Sequence, residues 1–199
     1  SSASGNVIGS MNLGGLVGQV EAELTVAHSH ALGNITALAG INNKCVNTAS
    51  QLWGYCGDGV GGIVGDAANT RIDRCFYAGR IDTTQVWANL GGVAGSYGNG
   101  RVAATIEATI SDSFAQATLL SRSSHLLQYN EPDFGQINWG LGGIVGLAFH
   151  RRGGSDIIKI ERTYQGQGAI SNQTFPSTGQ GIVGSLWGEL SRLSIRSSY

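Results

Sequence analysis

A short pattern of two glycines, two aliphatic residues and a closing glycine recurs along this chain and restricts its fold more than any other feature. It stands at Gly14-Gly15-Leu16-Val17-Gly18, Gly61-Gly62-Ile63-Val64-Gly65, Gly91-Gly92-Val93-Ala94-Gly95 and Gly142-Gly143-Ile144-Val145-Gly146, and returns altered as Gln180-Gly181-Ile182-Val183-Gly184. The first residues of these anchors (14, 61, 91, 142 and 180) lie 47, 30, 51 and 38 residues apart. A second motif follows each anchor. Its clearest form is Ile72-Asp73-Arg74-Cys75-Phe76-Tyr77-Ala78-Gly79-Arg80-Ile81, with partners beginning at Val26, Ile110, Ile160 and Ile195. The order is an aliphatic residue, two polar residues, a small Ser, Thr or Cys, then an aromatic residue or His. Co-occurrence of both motifs at every anchor marks a repeat architecture.

An apolar pair between glycines cannot sustain a helix, because nucleation is costly and glycine weakens the interior. The same segment works as a short strand that pairs with its own counterpart in the next repeat. One repeat cannot bury its apolar face alone, but stacking joins those faces into a continuous core. The sequence therefore predicts an all-β chain, a β-solenoid of about five glycine-ribbed coils with loop insertions. Residues 1–199 read as a single repetitive segment, with insertions at about 36–59 and 122–140. The rib glycines are Gly14, Gly15, Gly18, Gly61, Gly62, Gly65, Gly91, Gly92, Gly95, Gly142, Gly143, Gly146, Gly181 and Gly184, expected to permit positive φ at corners and close approach between coils. Ser29, Cys75, Ser113, Thr163 and Ser198 are expected to form one inward ladder. His30, Phe76, Phe114, Tyr164 and Tyr199 should form a stacked column beside it.

Composition agrees with this reading. Glycine accounts for 32 of 199 residues while proline occurs only twice, which favours regularly placed tight corners over a flexible linker. Charged residues make up 13% of the chain, about half the usual share. The net charge is -1, and no basic run exceeds Arg151-Arg152, so no nucleic-acid partner is expected. No apolar stretch is long enough to span a membrane as a helix. Ala3-Ser4-Gly5-Asn6-Val7 matches the second half of the follower motif, and Tyr199 is its aromatic position. This phase predicts that adjoining protein or neighbouring chains cover the ends, and that the isolated piece associates.

The anchor followed by a small-aromatic-small-x-Gly-x-aliphatic segment resembles the GLUG repeat. The residues that carry the likeness are Gly61 to Gly65 with Cys75 to Ile81, and Gly14 to Gly18 with Ser29 to Ile35. It weakens at Gly181 to Gly184 and fails around Gln165 to Ala169. Such repeats occur in large bacterial surface and secreted proteins, including adhesin-like chains and non-catalytic regions of immunoglobulin-A-cleaving metallopeptidases. The resemblance implies an extracellular or cell-surface location and a structural or adhesive role in a larger protein or filament. Its partners would be adjacent repeats or further chains of the same assembly, or a host protein or surface glycan.

Insertions in a solenoid become loops, where binding residues concentrate. The first insertion carries Trp53, Tyr55 and Asp58; the second carries Tyr129, Glu131, Asp133, Phe134 and Trp139. Aromatic rings beside carboxylates suit a protein contact or a sugar ring, and they also serve simply to pin loops to the solenoid wall. Cys45 and Cys56 could close a disulfide across the first insertion, or both could remain reduced. No HExxH, GK[ST] or GxGxxG motif is present, so no metal or other cofactor is expected, and the chain reads as non-enzymatic. A carbohydrate-binding module is the main alternative, and a β-helical polysaccharide-cleaving enzyme is a weaker one.

Overall fold

A computed structural model describes residues 1–20, 23–38, 58–84, 88–99, 107–121, 130–131, 135–136, 140–150, 157–166, 170–172, 181–187 and 193–199. They form an all-β fold of repeating parallel sheets, a solenoid-like repeat architecture. The anchor motif bends between two of these sheets. Strands leading into it, Leu13–Gly14, Asp58–Gly61, Ala88–Gly91 and Leu141–Gly142, make one sheet. Strands leaving it, Val17–Val20, Val64–Ala68, Ala94–Asn99, Val145–His150 and Val183–Trp187, make the next. The follower motif supplies two more. Its first half contributes Leu24–Ala27, Thr70–Asp73, Thr109–Ser111, Ile158–Glu161 and Leu193–Arg196. Its second half contributes His30–Leu32, Phe76–Thr83, Phe114–Ser121 and Tyr164–Gln165, with Ser2–Ser4 on the outer edge. Among the described residues the single antiparallel pair joins Asn130–Glu131 to Gly135–Gln136.

The register follows the motifs residue for residue. Val64 pairs with Val17 and Ala94, Ile72 with Val26 and Ile110, and Phe76 with His30 and Phe114. Ala3 lies beside Ala31 and Val7 beside Ile35, so the first residues do take the follower phase. In-register stacking places like upon like, and the interior is built from columns of equivalent aliphatic residues. Ile63, Val93 and Ile144 form one column, Ile72, Ile110 and Ile160 a second, and Ile35, Ile81 and Leu119 a third, all essentially inaccessible. Each such side chain contributes about 1.5–3 kcal/mol relative to exposure. The second column ends at Ile195, which is 45% exposed.

The glycines act mainly through close approach. A Cβ on Gly62 would collide with the carbonyl oxygen of Gly92 and with the ring of Tyr77, which fills the interior above it. Ala31, Ala115 and Gln165 occupy the equivalent place over Gly15, Gly92 and Gly143. Positive φ is largely assigned elsewhere. The turn between the two follower sheets is made by His28, Arg74, Asp112, Arg162 and Ser197, with φ of 47°, 50°, 48°, 49° and 48°. Positive-φ glycines among the described residues are Gly5, Gly33 and Gly79, all in the follower motif and none in an anchor. Expecting anchor glycines at left-handed corners was therefore incorrect. The corner sits one residue before the small ladder residue, and stacking holds it there despite the strain that an L side chain meets.

Candidate functional site

The corner and the strand after it concentrate the notable side chains of the described chain. At four of the five corners the small residue fastens the turn from inside, while the Thr163 hydroxyl donates to Ser198 Oγ at 3.0 Å. Ser29 donates its hydroxyl to the Ala27 carbonyl at 2.7 Å, Ser113 to Ser111 at 2.7 Å, and Ser198 to Arg196 at 3.0 Å. The Cys75 thiol does the same to Asp73 at 3.3 Å. Those hydroxyls also accept from the neighbouring repeat: Cys75 N–H donates to Ser113 Oγ at 3.1 Å and Thr163 N–H to Ser198 Oγ at 3.3 Å. The backbone joins in, with Arg74 N–H donating to the Ser111 carbonyl at 3.1 Å and Asp112 N–H to Glu161 at 3.1 Å. A two-residue reach from hydroxyl or thiol to carbonyl explains why Ser and Cys share this position, since each carries one short donor. Burial raises the Cys75 thiol pKa above its ordinary value, against the hydrogen bonds that lower it.

One residue further, the rings stack as a continuous column. Centroids of His30 and Phe76 are 4.9 Å apart, Phe76 and Phe114 5.0 Å, Phe114 and Tyr164 5.0 Å, and Tyr164 and Tyr199 5.9 Å. Interplanar angles are 12°, 4°, 7° and 20°, close to parallel. The column lies on the outer wall. His30, Phe76 and Phe114 are partly exposed, Tyr164 is 39% exposed and Tyr199 81%. Because the faces cover one another, the column offers solvent mostly ring edges along its length.

Charged side chains pair at the corner, within a repeat and between repeats. Arg74 bridges Asp73 at 2.7 Å, and the Ser111 hydroxyl donates to the same carboxylate at 2.9 Å. Burial alone would raise Asp73, but the hydrogen bonds from Arg74 and Ser111 outweigh it and hold the carboxyl below its usual value. Arg162 reaches across to Asp112 with two bonds, Nε to Oδ1 at 2.6 Å and Nη2 to Oδ2 at 2.7 Å. Those bonds from Arg162 lower the Asp112 carboxyl and raise the guanidinium in turn. Lys159 pairs with Glu107 in the same manner across repeats. Opposite charges therefore alternate along the stack, and no sign dominates.

The loop residues singled out in the sequence are placed as follows. Asp58 begins the strand Asp58–Gly61, and Glu131 closes the first arm of the small hairpin. Trp53, Tyr55, Tyr129, Asp133, Phe134, Trp139, Cys45 and Cys56 lie outside the described residues. Of the features that sequence reasoning missed, the ionic alternation of Arg74, Asp112 and Arg162 had a signal: the third follower position is polar in each copy. The buried Tyr97, whose hydroxyl donates to the Thr70 carbonyl, had none. Among the described residues no group of three or more His, Cys, Asp or Glu side chains is arranged to hold a metal ion. Nor, among those residues, is any helix long and apolar enough to cross a membrane.

Comparison with protein-family models, with curated proteins and with solved structures gives no match to this chain. The fold is thus defined by its own repeating parallel sheets, and the likeness to the GLUG repeat rests on the motifs alone.

Proposed function

We propose that the chain is a glycine-ribbed β-solenoid of about five coils that serves as a non-catalytic structural or adhesive module. In this reading it belongs to a larger extracellular or cell-surface protein or filament of the GLUG-repeat kind, and it makes protein–protein contacts. One observation carries the proposal. The hydroxyls, rings and ion pairs of the follower motif are engaged with their own counterparts in the adjoining repeat: Ser113 with Cys75, Phe76 with Phe114, and Arg162 with Asp112. Such an arrangement spends polar and aromatic groups on building a rod, the quasi-one-dimensional architecture that gives solenoids their extended surfaces.

Material from the native source, measured by intact mass and imaged directly, tests the reading. Long filaments, or a chain far larger than 199 residues, support it. A discrete short monomer that hydrolyses or transforms a polysaccharide overturns it.

A further inference from the structure

We propose that Tyr164 and Tyr199 form an oxidative cross-linking site, a pair of phenols that couple to dityrosine and covalently join two adjoining repeats. In the ring column, His30, Phe76 and Phe114 carry no phenol, so Tyr164 and Tyr199 are the column's one pair of adjacent tyrosines. Their centroids lie 5.9 Å apart at 20°. The backbone clamps the pair on both sides: Tyr199 N–H donates to the Thr163 carbonyl at 3.1 Å, and Gln165 N–H donates to the Tyr199 carbonyl at 2.8 Å. Phe114 pairs in register with Tyr164, and the hydrogen bonds of Tyr199 carry the same stacking one repeat further, so the two phenol rings lie face to face. Tyr164 is 39% exposed on the outer wall, which gives an oxidant access to the pair. Tyr77 and Tyr97 are sealed by contrast, at 1% and 0% exposure, with their hydroxyls bonded to the Gly33 and Thr70 carbonyls.

The chemistry balances with a peroxide as terminal oxidant and a haem peroxidase as the one-electron carrier. Each phenol gives up one electron and its hydroxyl proton, leaving two phenoxyl radicals. One carbon–carbon bond forms between the ortho positions. The two ortho C–H bonds then break as their protons move to oxygen and restore both hydroxyls. Two electrons and two protons leave the protein, and hydrogen peroxide takes them up to become two waters. Proximity substitutes for a second encounter between radicals, and this makes coupling within the chain faster than coupling between chains.

The test is peroxidase with hydrogen peroxide on the dilute full chain, followed by trypsin and mass spectrometry. Cleavage at Arg162, Arg192 and Arg196 places Tyr164 in the peptide 163–192 and Tyr199 in the peptide 197–199. The expected product is these two peptides joined, at their summed mass less two hydrogens, with dityrosine fluorescence from monomeric protein. Tyr199→Phe, which keeps the ring, should abolish that product, and so should Tyr164→Phe. Chain unfolded in urea should yield at least ten-fold less of it. Cross-links found only between chains, or an equal yield from folded and unfolded chain, would overturn the proposal.

Discussion

The ring of Tyr77 occupies the space that a side chain at position 62 would need, so Gly62 and Tyr77 are one packing unit divided between two motifs. Gly62→Ala should therefore overpack a site that is closed by the Gly92 carbonyl as well, at a cost of about 3 kcal/mol. Gly181→Ala is the matched control, because among the described residues the nearest atom to its new Cβ, the Val183 carbonyl oxygen, lies 3.7 Å away. That change should stay within about 0.5 kcal/mol of the parent. Urea unfolding of the three proteins compares them directly.

Acid should weaken the corner ladder. The carboxyls of Asp112 and Asp73 are held below their ordinary values in the fold. Their contribution is complete above the unfolded aspartate value of about 3.9 and fades as pH falls through the lower folded values. The urea midpoint of Asp112→Asn should sit slightly below the parent at neutral pH, and the two curves should converge in strong acid. Added salt should shrink the neutral-pH gap as well, since both partners are solvent-exposed.

The left-handed corner makes a separate prediction at Arg74, where φ is 50°. Asn tolerates this region and β-branched residues do not. Arg74→Val should destabilise by about 1–2 kcal/mol more than Arg74→Asn. Since both variants lose the same exposed ion pair with Asp73, the difference between their unfolding midpoints isolates the backbone.

Cys75 should behave as a structural thiol. It is 1% exposed and its pKa is raised by burial, so a thiol reagent should label it only after unfolding. Peptide mapping separates it from Cys45 and Cys56. Cys75→Ser should be accepted, because Ser113 already plays that role one repeat on, whereas Cys75→Val loses the bond to the Asp73 carbonyl and should cost about 1–2 kcal/mol.

Much of this fold was legible because repetition converts a weak local signal into a register. A single Ile-x-x-Cys-Phe segment says little, but its recurrence aligns Ile72 with Val26 and Ile110, and Phe76 with His30 and Phe114, which is the register that the strands adopt. The ring column and the hydroxyl ladder followed from the same alignment. What escaped was whatever varies from copy to copy. Tyr97 fills a place taken by Ala67 and Ala148 in neighbouring strands, so no pattern announced it. The corner conformation escaped for another reason: glycine is the expected left-handed residue, and here hydrogen bonds between repeats enforce that geometry on Arg74 and Asp112. The loop aromatics and acids belong to insertions that have no counterpart in other repeats, and nothing in their sequence fixes a mutual arrangement.

The parallel register has a mechanical side. Its interstrand hydrogen bonds run along the stacking direction, so each repeat holds only the repeats above and below it. Tension applied along that direction loads these bonds in series rather than sharing the pull across the whole molecule. The rod should yield by shedding one end turn after another at modest force, as a zipper does. A load-bearing stalk built this way would extend under strain and re-form when the strain is released, instead of snapping at a single threshold.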